Sequence, residues 1–286
     1  MSLTLDASVR RVGRALRELN VPDPDVLLLL GTGRGALADA LVRPDAAPLA
    51  GAPHPWTEET LSFGRLGTGD GALTVWALDD LGGDPRYPEE PAWRSAFPIW
   101  LAAQRGAQLL IHTSAGSLLV DGRPELDPGG FAVVADHLNL SGSTPLIGLG
   151  ETRLGPLFPD VSELHHRTLR AATMERAEAL GLRAGEAIVA CTAGPTLETA
   201  AERAWFASTG AEVCVQSLAV PVHAAAHAGL RALFLVAVTD AGERPVRVQR
   251  IARVAEKAQP ALEQLILALK PDLEAAVADL GDGDAA

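Results

Sequence analysis

Short uninterrupted apolar runs alternate along the chain with segments whose apolar residues recur at helical spacing. The apolar runs predict strands at 26–30, 72–78, 108–112, 130–135, 186–192, 213–217 and 230–238. The spaced segments predict helices at 1–20, 36–41, 94–105, 162–180 (with Ser162 as N-cap), 198–209, 222–228 and 246–269. Continuous apolar strands separated by helices are typical of an α/β fold, a mainly parallel sheet covered by helices on both faces.

Three long stretches, 43–64, 79–91 and 140–160, show neither pattern and are rich in Gly, Pro and Asp. Loops of this length in a compact domain are usually functional or disordered. No linker or repeat divides the chain. We therefore expect a single domain over residues 1–280 and a frayed tail at 281–286.

The composition excludes several classes of protein. A formal net charge of −12 over 286 residues argues against nucleic acid or an anionic membrane surface as the main partner. No apolar run approaches the ~20 residues of a membrane helix, and the first 20 residues lack the apolar core of a secretory signal. The two cysteines, Cys191 and Cys214, lie in apolar strands and suggest buried thiols in a reducing cytoplasm.

The most informative stretch is Ala-Gly-Pro-Thr-Leu-Glu-Thr at 193–199, between a predicted strand and a predicted helix. Glu198 would lie at the mouth of the sheet, where ligands bind in such folds. A carboxylate there can accept N–H groups from a small flat ligand such as a purine edge. The alternative is an ordinary helix start with an acidic first turn.

Hydroxyl and amide groups follow other strands, in Gly31-Thr32-Gly33, in Thr-Ser-Ala-Gly-Ser at 113–117 and at Ser217. They predict either a phosphate-binding cradle without a lysine or a set of separate, internally satisfied turns.

Other acidic residues and histidines also allow more than one interpretation of their roles. Asp240 ends the most apolar strand and is either a helix cap or a buried acceptor. Asp136-His137 could be a catalytic pair, but we favour a structural role. The seven histidines are scattered, with His165 and His166 on the polar side of a predicted helix, so no metal site is expected.

Taken in order, these stretches resemble the trimeric nucleoside phosphorylases. Further stretches that carry the resemblance are Asp-His-Leu-Asn-Leu at 136–140, Leu-Phe-Pro-Asp-Val-Ser at 157–162 and the run 210–240. This family includes purine nucleoside phosphorylases and 5′-methylthioadenosine phosphorylases. The resemblance covers about residues 26–269. It implies a twisted mixed sheet, a homotrimer with sites near the subunit interfaces, and exchange of purine for phosphate at the ribose anomeric carbon. Inorganic phosphate is then a co-substrate, and no cofactor is implied.

The resemblance also implies roles for single residues. Glu198 and Asp240 are the implied catalytic residues and contact the base. The remaining substrate pocket is assigned to Ala115, Leu197, Gln216 at the sugar and Val248 at the ribose 5′ group. Phosphate is assigned to Thr32, Ser114 and Ser217.

The identity of the purine base and of the ribose 5′ group of the substrate stays open. In the family, an acid at the Asp240 position accompanies 6-aminopurines, and an apolar residue at the Val248 position accompanies methylthioadenosine. The segments 136–140 and 159–162 instead look like the purine nucleoside branch.

The sequence departs from the family in the loop that clamps phosphate. Gly83 and Pro85 stand where the family has Arg and His, so Arg86 is assigned as the replacement phosphate ligand at a shifted register. We rank a phosphorylase with a remodelled phosphate site first. A nucleoside hydrolase and a non-catalytic nucleoside-binding subunit are the alternatives.

Overall fold

The computed structural model describes residues 4–31, 37, 40–69, 71–81, 91–216, 218–242 and 247–283, and side chains up to residue 279. The strands within these residues are β1 (Val26–Leu30), β2 (Val42–Pro48), β3 (Thr60–Leu66), β4 (Leu73–Asp79), β5 (Leu109–Leu118), β6 (Phe131–Asn139), β7 (Ala184–Thr192), β8 (Val213–Gln216) and β9 (Arg231–Asp240). The helices are α1 (Leu5–Glu18), α2 (Phe97–Gln104), α3 (Arg167–Ala179), α4 (Ala200–Ser208), α5 (Ala219–His227), α6 (Val248–Ala268) and α7 (Lys270–Gly283).

All nine described strands form one sheet in the order β2-β3-β4-β1-β5-β8-β7-β6-β9, and β9 also pairs with β5. The strands β5, β8, β7, β6 and β9 therefore close a ring, from which β1, β4, β3 and β2 extend. Five of the described pairings are parallel and four antiparallel. The sheet is mixed, with parallel pairs in a slight majority.

Helices cover both faces of this sheet, as predicted. Alternate residues of β1 point to opposite faces: Leu27 and Leu29 join a core with α1, α2 and α5. Val26, Leu28 and Leu30 join a second core with α3, α6 and α7. The α/β fold is confirmed. None of the described helices has the length and apolar character to cross a membrane.

Two strands continue past the turns that the sequence predicts. β5 runs through 113–117 to Leu118, because β8 and β9 pair with this segment on its two sides. β6 runs through 136–139, because β7 pairs with it as far as Cys191. Partners distant in sequence satisfy the backbone groups of these polar residues, so the predicted strand-end turns are wrong.

The predicted irregular stretch 43–64 contains most of the hairpin of β2 and β3. β2 is an edge strand with only Ala47 buried, so it has no apolar run to reveal it. α3 begins at Arg167, with His166 as N-cap, rather than at Ser162. The Ser162 amide and hydroxyl instead bond to Asp160 at 2.9 Å. The predicted closing helix 246–269 matches α6, and a further helix that the sequence did not predict, α7, follows it and runs past the expected boundary at 280 to Gly283.

Candidate active site

The end of β5 lies between β8 and β9, the strands next to the predicted carboxylates Glu198 and Asp240. Ser117 pairs with Cys214 of antiparallel β8 on one side and with Asp240 of parallel β9 on the other. Asp240 contacts this segment from β9, whereas Glu198 bonds to Gln216 at the end of β8, the neighbour on the other side. The site thus forms where a parallel and an antiparallel neighbour flank the same strand, and not along one edge of parallel strand ends.

Asp240 is held by two donors. The Ser117 hydroxyl donates to Oδ2, and the Gly242 amide donates to Oδ1 at 2.9 Å. The carboxylate is buried, with 6 % of the residue exposed. The two bonds fix the orientation of the carboxylate as an acceptor.

A β-bulge in β9 produces this orientation. Gly116 pairs with Val238 and Ser117 with Asp240, so Thr239 is the extra residue of β9. The Thr239 hydroxyl donates to the Gly116 carbonyl at 3.0 Å. Bulges commonly re-aim a side chain beside an active site, and this one sets Asp240 opposite Ser117.

Glu198 is the second buried carboxylate, 8 % exposed. It lies between β7 and α4, immediately before the N-cap Thr199. Its Oε1 accepts from the Thr192 hydroxyl at 3.1 Å and from Gln216 Nε2 at 3.4 Å. Glu198 is therefore not the first-turn residue of the helix. Glu202 has that role and closes a capping box with Thr199.

Gly194 allows Gln216 to reach Glu198. The backbone of Gly194 has φ +64, and a Cβ there would collide with Gln216 Oε1. The peptide bond that follows it, to Pro195, is cis. Gln216 Nε2 also donates to the Thr196 carbonyl at 3.0 Å, so the turn and the end of β8 are bonded together.

The Cys214 thiol borders the Glu198 carboxylate. Burial, and next the negative charge of Glu198, raise the pKa of Cys214 to about 12. Burial likewise raises the pKa of Cys191 to about 12. Both thiols are neutral at physiological pH and act as small apolar groups, as the sequence predicts.

Ser114 lies in β5, and its Oγ is buried with no hydrogen-bond partner among the described residues. The Gly31 amide donates to the Thr113 carbonyl at 2.8 Å, and a Cβ on Gly31 would lie 2.5 Å from that oxygen. Only glycine lets the end of β1 approach Ser114 this closely. A buried, unsatisfied hydroxyl is costly unless a ligand or water completes it.

The other predicted phosphate ligands, Thr32, Ser217 and Arg86, lie outside the described residues, as do Gly83 and Pro85. Their roles stay predictions. Among the predicted pocket residues, Ala115 is half-buried in β5 and Leu197 is exposed beside Glu198. Val248 begins α6 and is 62 % exposed, so its contact with the 5′ group also stays a prediction.

Sequence reasoning did not assign Ser117, Thr192 or the pair Asp80 and His112. His112 is buried in β5, and its Nε2 lies 2.8 Å from Asp80 Oδ2. The Asp80 amide donates to the Leu30 carbonyl, so this pair joins the ends of β1 and β4 to β5. The signal that could have found these residues is that each is a polar residue within or next to a strand.

Three of the histidines are not scattered. His137, His165 and His223 form one cluster, with ring centroids 5.2 Å apart for His137 and His165 and 5.5 Å apart for His137 and His223. Burial lowers the pKa of all three, that of His165 to about 4. His165 precedes α3 and bridges to Ala232 of β9, so its predicted place on the polar side of a helix is wrong.

The chain is similar to known proteins over most of its length. The chain is 28 % identical over 258 residues to purine nucleoside phosphorylase 1 of Geobacillus stearothermophilus, covering 87 % of this chain and 92 % of that protein. It is 28 % identical to purine nucleoside phosphorylase of Bos taurus, with 76 % of each chain covered. Its fold is similar to that of Schistosoma mansoni purine nucleoside phosphorylase in complex with adenosine, with TM-score 0.80, 22 % identity, and 93 % and 97 % of the two chains covered.

The family model described as "Phosphorylase superfamily" matches residues 58–270. The match covers well over half of the chain, from β3 to the start of α7, and includes the strands that carry Ser114, Gln216 and Asp240. This chain is a member of the phosphorylase superfamily.

Proposed function

We propose that this protein is a purine nucleoside phosphorylase, which transfers the ribosyl group of a purine nucleoside to phosphate and releases the free base. The observation that carries the proposal is the buried Glu198 carboxylate, bonded to Thr192 and Gln216, with Asp240 on the other side of β5. Relatives described as purine nucleoside phosphorylases match most of the chain and support it.

In this reaction the bond from the ribose anomeric carbon to the purine breaks, and a bond from that carbon to a phosphate oxygen forms. The electron pair of the broken bond stays on the base, so negative charge grows there as the sugar becomes cationic. The base leaves neutral by taking up one proton, and the phosphate gives up the proton of the oxygen that bonds to the sugar. Glu198 accepts N–H groups of the base edge and orients it. Asp240 faces the six-membered-ring substituent and N7. Catalysis then rests on positioning and on electrostatic stabilisation of the departing base.

The phosphate site draws on Ser114, whose buried hydroxyl lacks a partner among the described residues. Thr32, Ser217 and Arg86 complete it in this proposal. Phosphate acts as co-substrate, and no resident cofactor takes part. Gln216 lies at the sugar, next to the Glu198 carboxylate that it donates to.

We also propose that the protein is a homotrimer that works in the cytoplasm. Supporting the assembly, the segment between β6 and α3 carries exposed apolar side chains: Ile147, Leu157, Val161 and Phe158, the last 88 % exposed. Light scattering of the purified protein tests the trimer. Phe158→Asp should lower the assembled mass, while Leu180→Asp, at an exposed leucine of α3's C-cap, should not. A monomeric wild-type protein would overturn this part.

The activity is tested by purine release from adenosine, inosine, guanosine and methylthioadenosine, each with and without phosphate. Phosphate-dependent release with formation of ribose 1-phosphate, or its 5′-methylthio counterpart, is expected, and the best substrate identifies the base and the 5′ group. Arg86→Ala should raise the KM for phosphate.

The same assay separates the alternatives. Release at an equal rate without phosphate would identify a nucleoside hydrolase. Purine binding without release from any nucleoside would identify a non-catalytic binding subunit. Either result would overturn the proposed reaction.

A further inference from the structure

A second polar cluster lies away from the carboxylates of the candidate active site, where β6 passes the segment before α3. His137 Nδ1 and His165 Nε2 face each other at 3.0 Å. The Asp136 carboxylate lies 3.8 Å from the same His137 nitrogen. One ligand atom from each of the three residues falls within 4.8 Å of the others.

Consecutive strand residues normally point to opposite faces, so the convergence of Asp136 and His137 needs a local cause. Ala135 is an extra residue in the pairing of β6 with β7, a β-bulge just before Asp136. Asp136 Oδ1 then accepts from the His137 amide at 2.8 Å, which turns the carboxylate back toward the imidazole. The exposed Asp136 side chain opens the group to solvent, while the His137 side chain is 8 % exposed.

We propose that Asp136, His137 and His165 bind one divalent transition-metal ion of the zinc class, through the Asp136 carboxylate, His137 Nδ1 and His165 Nε2. Two imidazoles and one carboxylate are a ligand set that suits zinc. With metal–nitrogen bonds of about 2.0–2.1 Å, tetrahedral geometry puts two nitrogens about 3.3 Å apart. The observed 3.0 Å needs only a small opening of the pair.

The two facing imidazole nitrogens offer lone pairs that an ion can bind. Only one proton can lie between the facing nitrogens, and His165 Nδ1 is buried without a partner among the described residues. A bound ion replaces that proton and uses both lone pairs. Water from the exposed Asp136 side supplies the remaining position.

Neighbouring groups orient the rings. The His223 ring packs edge-on against His137, and its Nδ1 donates to the Ala219 carbonyl at 2.8 Å, which holds the ring in place. It is not among the three residues whose ligand atoms lie within 4.8 Å of one another. His165 packs against Phe234. The nearby cation, Arg170, is paired with Glu186, which reduces its repulsion of a bound ion.

The ion would join the two ends of the long segment between β6 and α3. His137 and His165 are 28 residues apart, and the segment between them carries the exposed Phe158. Joining the ends of a long loop removes conformational freedom from it. The proposed role is therefore structural, holding this apolar segment in one arrangement.

The test uses the full chain, stripped with EDTA and dialysed. Zn²⁺ is titrated by calorimetry, Co²⁺ by its visible absorption, and the Tm is measured with and without Zn²⁺. We expect one Zn²⁺ per chain, a Co²⁺ band typical of four-coordinate N/O sites, and a higher Tm with Zn²⁺. His165→Gln should abolish all three, and Asp136→Asn should weaken Zn²⁺ binding at least ~10-fold. His54→Gln, outside the cluster, should match the wild type.

A wild-type chain that binds no stoichiometric Zn²⁺ would overturn the proposal. So would unchanged affinity in His165→Gln with a native circular dichroism spectrum. Should His165→Gln fail to fold, the exposed Asp136→Asn decides, because unchanged affinity and an unchanged Co²⁺ band there contradict the ligand set.

Discussion

The Ser117 hydroxyl donates a hydrogen bond to Asp240 Oδ2 across the paired strands β5 and β9. The bulge at Thr239 brings these two residues opposite each other. Asp240 therefore faces the site as an acceptor whose orientation another strand determines.

Replacing Ser117 should reduce activity without removing any group assigned to the substrate. A hydrogen bond to a charged group contributes about 1.5–3 kcal/mol, so Ser117→Ala should lower kcat/KM for purine release by about 10- to 100-fold. Steady-state kinetics with the best nucleoside measures this. Ser117→Thr keeps the hydroxyl and should retain most activity; equal rates in the alanine variant and wild type would rule out a positioning role for Ser117.

Glu198→Gln should nearly abolish purine release while the fold persists. The amide keeps the size of the side chain but loses the charge that accepts N–H groups of the base, and losing one preorganised electrostatic contact costs about 10²–10³-fold in kcat. Glu178→Gln, at an exposed residue of α3, is the matched control. Near-normal kcat in Glu198→Gln would contradict the assigned role.

A comparison of Gly194→Ala with Gly181→Ala distinguishes the effect of backbone strain on stability from an effect on the active site. Gly194 has φ +64 and Gly181 has φ +67, and only at Gly194 would a Cβ meet Gln216. Both variants should lose about 1–2 kcal/mol of stability from the left-handed backbone, measured by urea unfolding. Only Gly194→Ala should also raise the nucleoside KM, because Gln216 is displaced; an equal KM in the two variants would refute this.

The histidine cluster should make the metal-free protein less stable in acid. The pKa of His165 is about 4 in the folded chain against an ordinary 6.5, so between these values the unfolded chain binds a proton that the folded chain does not. Stability present above pH 6.5 is therefore lost as the pH falls toward 4, by up to about 3 kcal/mol. The lowered pKa values of His137 and His223 act in the same direction.

Urea unfolding in EDTA at pH 7, 5.5 and 4.5 measures this loss. His165→Gln should flatten the pH dependence, since the amide does not titrate. His54→Gln should leave the wild-type dependence in place. An equally steep loss in His165→Gln would assign the acid sensitivity to other groups.

The local pattern of apolar and polar residues was sufficient to predict much of the architecture. β1 was predicted to the residue, because Val26–Leu30 is an unbroken apolar run covered on both faces. Glu198 and Asp240 stood out for a related reason, since each follows such a run, and both are buried in the structure, while their roles stay predictions. Edge strand β2 was missed because solvent covers most of it, and its sequence carries no burial signal.

The sequence by itself determined the α/β class, the core strands and the positions of the acidic residues beside those strands, because continuous apolar runs and their polar ends are local features. Only the tertiary structure decided that β5 continues to Leu118, that Thr239 bulges to set Asp240 against Ser117, and that His137 meets His165. Each of these depends on pairing between segments far apart in the chain. The energy that selects them comes from backbone hydrogen bonds and packing between those segments, which no local pattern encodes.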